Sequence, residues 1–142
     1  NDVLDISKIE AGQLEVAAES FALAPVLDRL MATMQPQADK KGLALVLMVD
    51  RTPAEMNTDR RRTEQILLNL LSNAVKFTDR GQVTLRVGTE EAWQRSPNDV
   101  PVAAVRFVVQ DTGIGIADRD LPALFQPFRQ VDSGLARQHE GT

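Results

Sequence analysis

Residues 62–77 constrain this chain more than any other stretch. Leu67, Leu70, Leu71, Ala74 and Val75 recur at helical spacing. At about 100° per residue, Arg62, Gln65, Asn73 and Lys76 gather within about 40° of Asn69 on the opposite side. The pattern predicts an amphipathic helix with an apolar face that needs a sheet or further helices to cover it. The polar face is unusual. Asparagine costs about 0.5–0.7 kcal/mol against alanine inside a helix, and its amide is better used at caps and turns. Two asparagines one turn apart, followed by Lys76, therefore need a reason. One reading is a solvent-facing polar stripe. The other is a site, because surfaces favour Glu and Lys whereas short neutral amides suit ligand contacts.

The second reading has a chemistry. An asparagine carbonyl oxygen is a hard ligand fit for Mg²⁺, and it adds no negative charge. That suits an ion whose other ligands are phosphate oxygens. A lysine one turn along the helix can hold the same phosphates.

Around this helix the chain reads as an alternation of helices and strands. "NDVLDISKIEAG" places Val3, Leu4, Ile6 and Ile9 at helical spacing and stops at Gly12, a common helix terminator. "QLEVA", residues 13–17, alternates as a short strand. From Pro25, the set Val26, Leu27, Leu30, Met31 and Met34 predicts a helix ending near Lys40, Lys41 and Gly42, with Pro36 as a possible kink. "LALVLMVD" reads as a buried strand, and "QVTLRVG" and "VAAVRFVVQD" as two more. "EEAWQRSPNDVP" between those two reads as a loop. "DRDLPALFQPF" predicts a short helix before a polar tail. Spacing is not that of regular βαβ units. The expected class is α+β, a mixed sheet with helices on one face.

Composition excludes several functions. Net charge is −4 with basic residues spread along the chain, which argues against nucleic-acid and anionic-membrane surfaces. There is no cysteine and one histidine, so a disulfide framework, a thiolate metal site and a multi-histidine site within one chain are excluded. No apolar run reaches the roughly 18 residues of a membrane span, and no signal peptide is visible. A cytoplasmic domain is the expectation. At 142 residues the chain fits one domain. It starts without methionine and stops within "EGT", so it is expected to be a piece of a longer protein.

Two further stretches carry chemistry. In "VVQDTGIGI" a strand runs into Asp111, followed by Gly113 and Gly115. Glycine permits close approach of a ligand to the backbone, and a carboxylate at a strand end can accept hydrogen bonds from an exocyclic amine. A plain turn after a strand is the alternative. "LFQPFRQVDSGLARQHEGT" contains Leu124, Phe125 and Phe128, which suit a core cap. Beyond them runs a polar segment with the character of a lid or of a frayed end.

Together and in this order, the three stretches closely resemble the ATP-binding catalytic domain of sensor histidine kinases. "RRTEQILLNLLSNAVKFT" resembles the N box, "DTGIGI" the G1 box, "LFQPF" the F box and "RQHEGT" the start of the G2 box. "NDVLDISKIEAG" resembles the end of the second dimerisation helix. The resemblance implies a two-layer α/β sandwich, incomplete at its C-terminus, with residues 1–12 ending the dimerisation helix and 13–142 forming the catalytic domain. It implies ATP and Mg²⁺ as cofactors, and it gives the site residues their roles. Asn73 and Asn69 would meet the metal and phosphates, Lys76 would neutralise phosphate charge, and Phe77 would line the pocket. Asp111 would receive the adenine amine beside Gly113, Gly115 and Ile116, and Arg137 and Thr142 would belong to the lid.

The implied partners are a response regulator or receiver domain and a second copy, joined through upstream dimerisation helices. The related gyrase-type ATPases resemble this motif but place a glutamate where Asn69 stands, to activate water. An amide is no general base at neutral pH, so kinase is expected over ATPase. The acceptor histidine would lie upstream, since His139 falls in the lid by position. A non-catalytic nucleotide-binding or interaction module is the rival reading.

Overall fold

The computed structural model describes residues 2–113. The elements in chain order are α1 (Asp2–Glu10), β1 (Glu19–Ala22), α2 (Leu23–Lys40), β2 (Ala44–Val49), β3 (Glu55–Thr58), α3 (Arg60–Lys76), β4 (Gln82–Trp93) and β5 (Val102–Asp111). A three-stranded sheet runs β2-β4-β5, with β2 parallel and β5 antiparallel to the central β4. It is a mixed sheet, as the sequence pattern predicts. A separate antiparallel pair joins β1 to β3.

One face of the main sheet makes the core. Leu45 pairs with Val83, Leu47 with Leu85, Val87 with Phe107 and Leu85 with Val109. Side chains alternate across a strand, so this set shares a face. Helix α2 lays Leu23, Val26, Leu27, Leu30, Met34 and Ala38 against it. Helix α3 adds Leu67, Leu71, Ala74 and Val75. Both helices therefore cover the same side of the sheet.

Several elements differ from the sequence reading. Residues 13–17 form no strand, and the backbone N–H of Ala17 donates to the Asp59 side chain instead of a ladder. Strand β3 pairs its "EMNT" with β1, although only Met56 packs against the core, so the segment lacks strand periodicity. Strand β2 is only partly covered, because it lies at the edge of the sheet. Strand β4 runs on to Trp93 through a register shift between Glu90 and Trp93. That converts the first third of the expected loop, residues 90–93, into strand. Helix α2 continues as one element through Pro36, and Leu70, expected on the buried face of α3, is 47% exposed.

Candidate functional site

Helix α3 begins with a cap. The Asp59 carboxylate accepts hydrogen bonds from the backbone N–H of Arg62 at 3.0 Å and of Ala17 at 2.9 Å. The first satisfies a helix donor that has no partner within the helix, and the second ties down the segment after α1. These backbone donors, Arg62 first, hold the Asp59 carboxyl below its ordinary range.

The polar stripe of α3 then divides in two. In the first half, Gln65 Nε2 donates to Asp5 Oδ2 at 2.9 Å, and Arg62 Nη1 lies 3.0 Å from the same oxygen. Arg62 also donates to Gln65 Oε1 at 2.9 Å. Asp5 lies on α1, so this half of the stripe clamps the first helix. The Gln65 hydrogen bond, then that of Arg62, holds the Asp5 carboxyl low.

In the second half, Asn69 is exposed, while Asn73 and Lys76 are half-buried. The side chains of all three make no hydrogen bond or ion pair among the described residues. Their shared direction follows from Leu67, Leu71, Ala74 and Val75, which are buried on the opposite face. Two neutral amides and one ammonium thus stand in a row without side-chain partners among the described residues.

The row ends where β5 ends. Phe77 closes α3 with its N–H on the Asn73 carbonyl at 3.0 Å. Buried Thr78 donates its hydroxyl to the Ala74 carbonyl at 2.7 Å. Against this turn lies Gly113. A Cβ at Gly113 would sit 2.6 Å from the Phe77 carbonyl oxygen, so the close approach requires glycine. Asp111 is exposed, and its Oδ1 accepts from the Gly113 N–H at 2.8 Å. Thr112 stitches the same region to the α3–β4 turn. It donates its hydroxyl to the Arg80 carbonyl at 3.1 Å and its N–H to the Gln82 carbonyl at 3.3 Å. Gly81, at φ 109°, leaves room for that hydroxyl, with which any side chain would collide.

The structure therefore brings Phe77, Asp111 and Gly113 together at one end of α3, with Asn73, Lys76 and Asn69 along the helix leading to it. Gly115, Ile116, Arg137, Thr142, His139 and the "LFQPF" stretch lie outside the described residues. Lys41 is a contributor that sequence reasoning missed. Lys41 donates from Nζ to the carbonyl oxygens of Val75 at 2.8 Å and Lys76 at 2.9 Å. The pair "KKG" marked a helix end, but nothing in it showed that the second lysine would reach another helix.

Helices on one face of a mixed sheet, with the ends of α3 and β5 stitched together, define an α+β ATP-binding domain of the histidine kinase type. The chain belongs to the histidine kinase-, DNA gyrase B-, and HSP90-like ATPase family, whose model matches residues 58–142. It is 41% identical over 143 residues to hybrid signal transduction histidine kinase B of Dictyostelium discoideum, covering all of this chain and 7% of that protein. It is 43% identical over 143 residues to the sensor histidine kinase GacS of Pseudomonas protegens, covering all of this chain and 15% of that one.

Among solved structures, Acinetobacter baumannii histidine kinase AdeS superposes with a TM-score of 0.68 at 28% identity, over 89% of this chain and 56% of that one. Full-length ShkA, solved in complex with AMPPNP, gives a TM-score of 0.75 at 31% identity, over 96% of this chain and 27% of that one. The chain thus spans a small part of its curated relatives' length. What it shares with them is the ATP-binding catalytic domain of two-component kinases, and the rival reading as a non-catalytic module is not favoured.

Proposed function

We propose that this domain holds Mg-ATP on the second half of the α3 stripe, and that the whole protein transfers the γ-phosphoryl group to a histidine on a preceding dimerisation helix. The observation that carries the proposal is the row of Asn69, Asn73 and Lys76, whose side chains have no partners among the described residues and which leads to Asp111. Among the described residues no group of three His, Cys, Asp or Glu side chains could hold a metal. A Mg²⁺ ion would therefore sit on the Asn73 and Asn69 oxygens together with phosphate oxygens, a donor set suited to a hard cation. Such an ion would spread the charge of the polyphosphate.

The remaining work belongs to the side chains. Lys76 holds the phosphates as a point charge. Asp111, fixed by the Gly113 N–H, accepts from the adenine amino group, with Phe77, Gly113, Gly115 and Ile116 as the pocket wall. Arg137 and Thr142 are assigned to the phosphate side by the family resemblance alone. A neutral imidazole nitrogen attacks the γ-phosphorus, and the bond to the bridging oxygen of the β-phosphate breaks, releasing ADP. The nucleophile needs no general base, which suits a stripe that offers amides and no carboxylate. Positioning and charge neutralisation carry the step.

Residues 1–12 are read as the tail of a dimerisation helix and 13–142 as the catalytic domain. A second copy and a response regulator or receiver domain are the partners in this reading. A cytoplasmic location without membrane contact by this segment belongs to the same reading; no described helix is long and apolar enough to cross a membrane. The test uses the full-length protein and γ-labelled ATP. It should acquire an acid-labile, alkali-stable label, and Asn73→Ala should reduce that label at least about a hundredfold, on the order of a lost transition-state contact. Undiminished labelling of the variant would overturn the assignment of Asn73.

A further inference from the structure

The end of α3 carries both the last members of the amide–lysine row and the turn against which Gly113 packs. Something has to hold that end in place. The last carbonyls of a helix have no partner within the helix, and those of Val75 and Lys76 are taken by the Lys41 ammonium at 2.8 and 2.9 Å. Lys41 is the C-cap of α2, with φ −97° and ψ −2°, and Gly42 follows at φ 66°. The left-handed glycine turns the chain into β2 and leaves the lysine directed at the neighbouring helix. Its side chain is 28% exposed, and the Asp79 carboxylate lies 3.8 Å from the ammonium.

We infer that Lys41 is a positioning residue for the nucleotide site, acting through the last turn of α3 on Asp111. This rests on the reading of Asp111 as the adenine acceptor. Lys41 fixes the Val75 and Lys76 carbonyls, and with them the direction of the next carbonyl, that of Phe77. The Phe77 oxygen sets where Gly113 can lie, and the Gly113 N–H holds Asp111 Oδ1. Both Lys41 hydrogen bonds are charge-assisted and partly shielded from water, which places them among the stronger kinds. The ammonium also offsets the negative end of the α3 dipole, which would otherwise face the nucleotide end of the helix.

The test compares Lys41→Met, Lys41→Gln and Lys41→Arg in the full-length protein. Binding of ATP and GTP is measured by calorimetry, and amide exchange at Phe77 and Gly113 is followed without nucleotide. Lys41→Met is expected to weaken ATP binding about tenfold and to narrow the preference for ATP over GTP by a similar factor. Exchange at both amides should become several-fold faster. Lys41→Gln can serve one carbonyl and keeps a polar group there, so it should fold and fall between the parent and Lys41→Met. Lys41→Arg should restore most of the preference. Unchanged exchange at Phe77 and Gly113 in Lys41→Gln, or an unchanged ATP-to-GTP ratio in a folded Lys41→Met, overturns the inference. A parent protein that binds no ATP would instead sink the nucleotide reading, and the exchange data would still decide the role of Lys41.

Discussion

Asp59 holds two segments with one carboxylate, capping α3 through Arg62 and fastening the chain after α1 through Ala17. The backbone donors, Arg62 first, hold its carboxyl below the ordinary aspartate range in the folded protein. The unfolded chain therefore binds the proton more readily, and the stabilisation is present above about pH 4 and lost as pH falls through the folded value. Asn in place of Asp can still cap the helix, but it loses the charge and one acceptor. Asp59→Asn should melt lower than the parent at neutral pH, and the gap should shrink below about pH 4. Thermal melts across that range check this, and a constant gap would contradict it. At this scale the sequence was partly readable. The asparagine row stood out because its residue type is wrong for an ordinary surface. Asp59 carries a cap signal before "RRRTEQ", whereas Lys41 carries none, because its partners are backbone atoms of a helix 34 residues away.

At the scale of elements, periodicity predicted α3, β2 and β5 well, since each has a sustained apolar pattern. It failed where pattern and pairing part company. Residues 13–17 alternate yet have no partner strand among the described residues, whereas "EMNT" barely alternates and pairs with β1 through backbone bonds. The last part of β4 is polar and exposed, and it remains strand because β5 extends alongside it. Leu70 and Leu71 show the limit within a helix, since a step of one residue moves the side chain from half-exposed to fully buried. Leu71→Ala should destabilise the domain by about 2–5 kcal/mol, and Leu70→Ala by less than about 1 kcal/mol. Urea unfolding of both variants distinguishes them. Equal losses would mean that α3 is rotated from the position described.

Across the whole molecule, one helix serves two ends. The first half of the α3 stripe grips Asp5 on α1, while the second half faces the proposed nucleotide. The same face thus joins α1, proposed as the end of the dimerisation helix, to the proposed nucleotide site, and the family resemblance does not show where one use stops and the other starts. The division of labour has a consequence for the chain taken alone. Its one histidine is His139, and phosphoryl transfer requires an attacking atom in line at about 3–3.5 Å, a geometry that the proposal assigns to a preceding helix. Residues 1–142 incubated with γ-labelled Mg-ATP should acquire no acid-labile label. A label that disappears in His139→Ala would move the acceptor into this segment.

The central claim is that Asn73 and the magnesium ion act as one unit in holding ATP. The direct measurement is ATP affinity in the full-length protein and in Asn73→Ala, each with Mg²⁺ and with the ion chelated. The parent should lose at least about tenfold in affinity when the ion is removed. The variant should start near that weakened value and change little on chelation, because two members of one unit do not add. A variant that keeps the full effect of Mg²⁺ would show that Asn73 does not hold the ion, and the account of the stripe would fail with it.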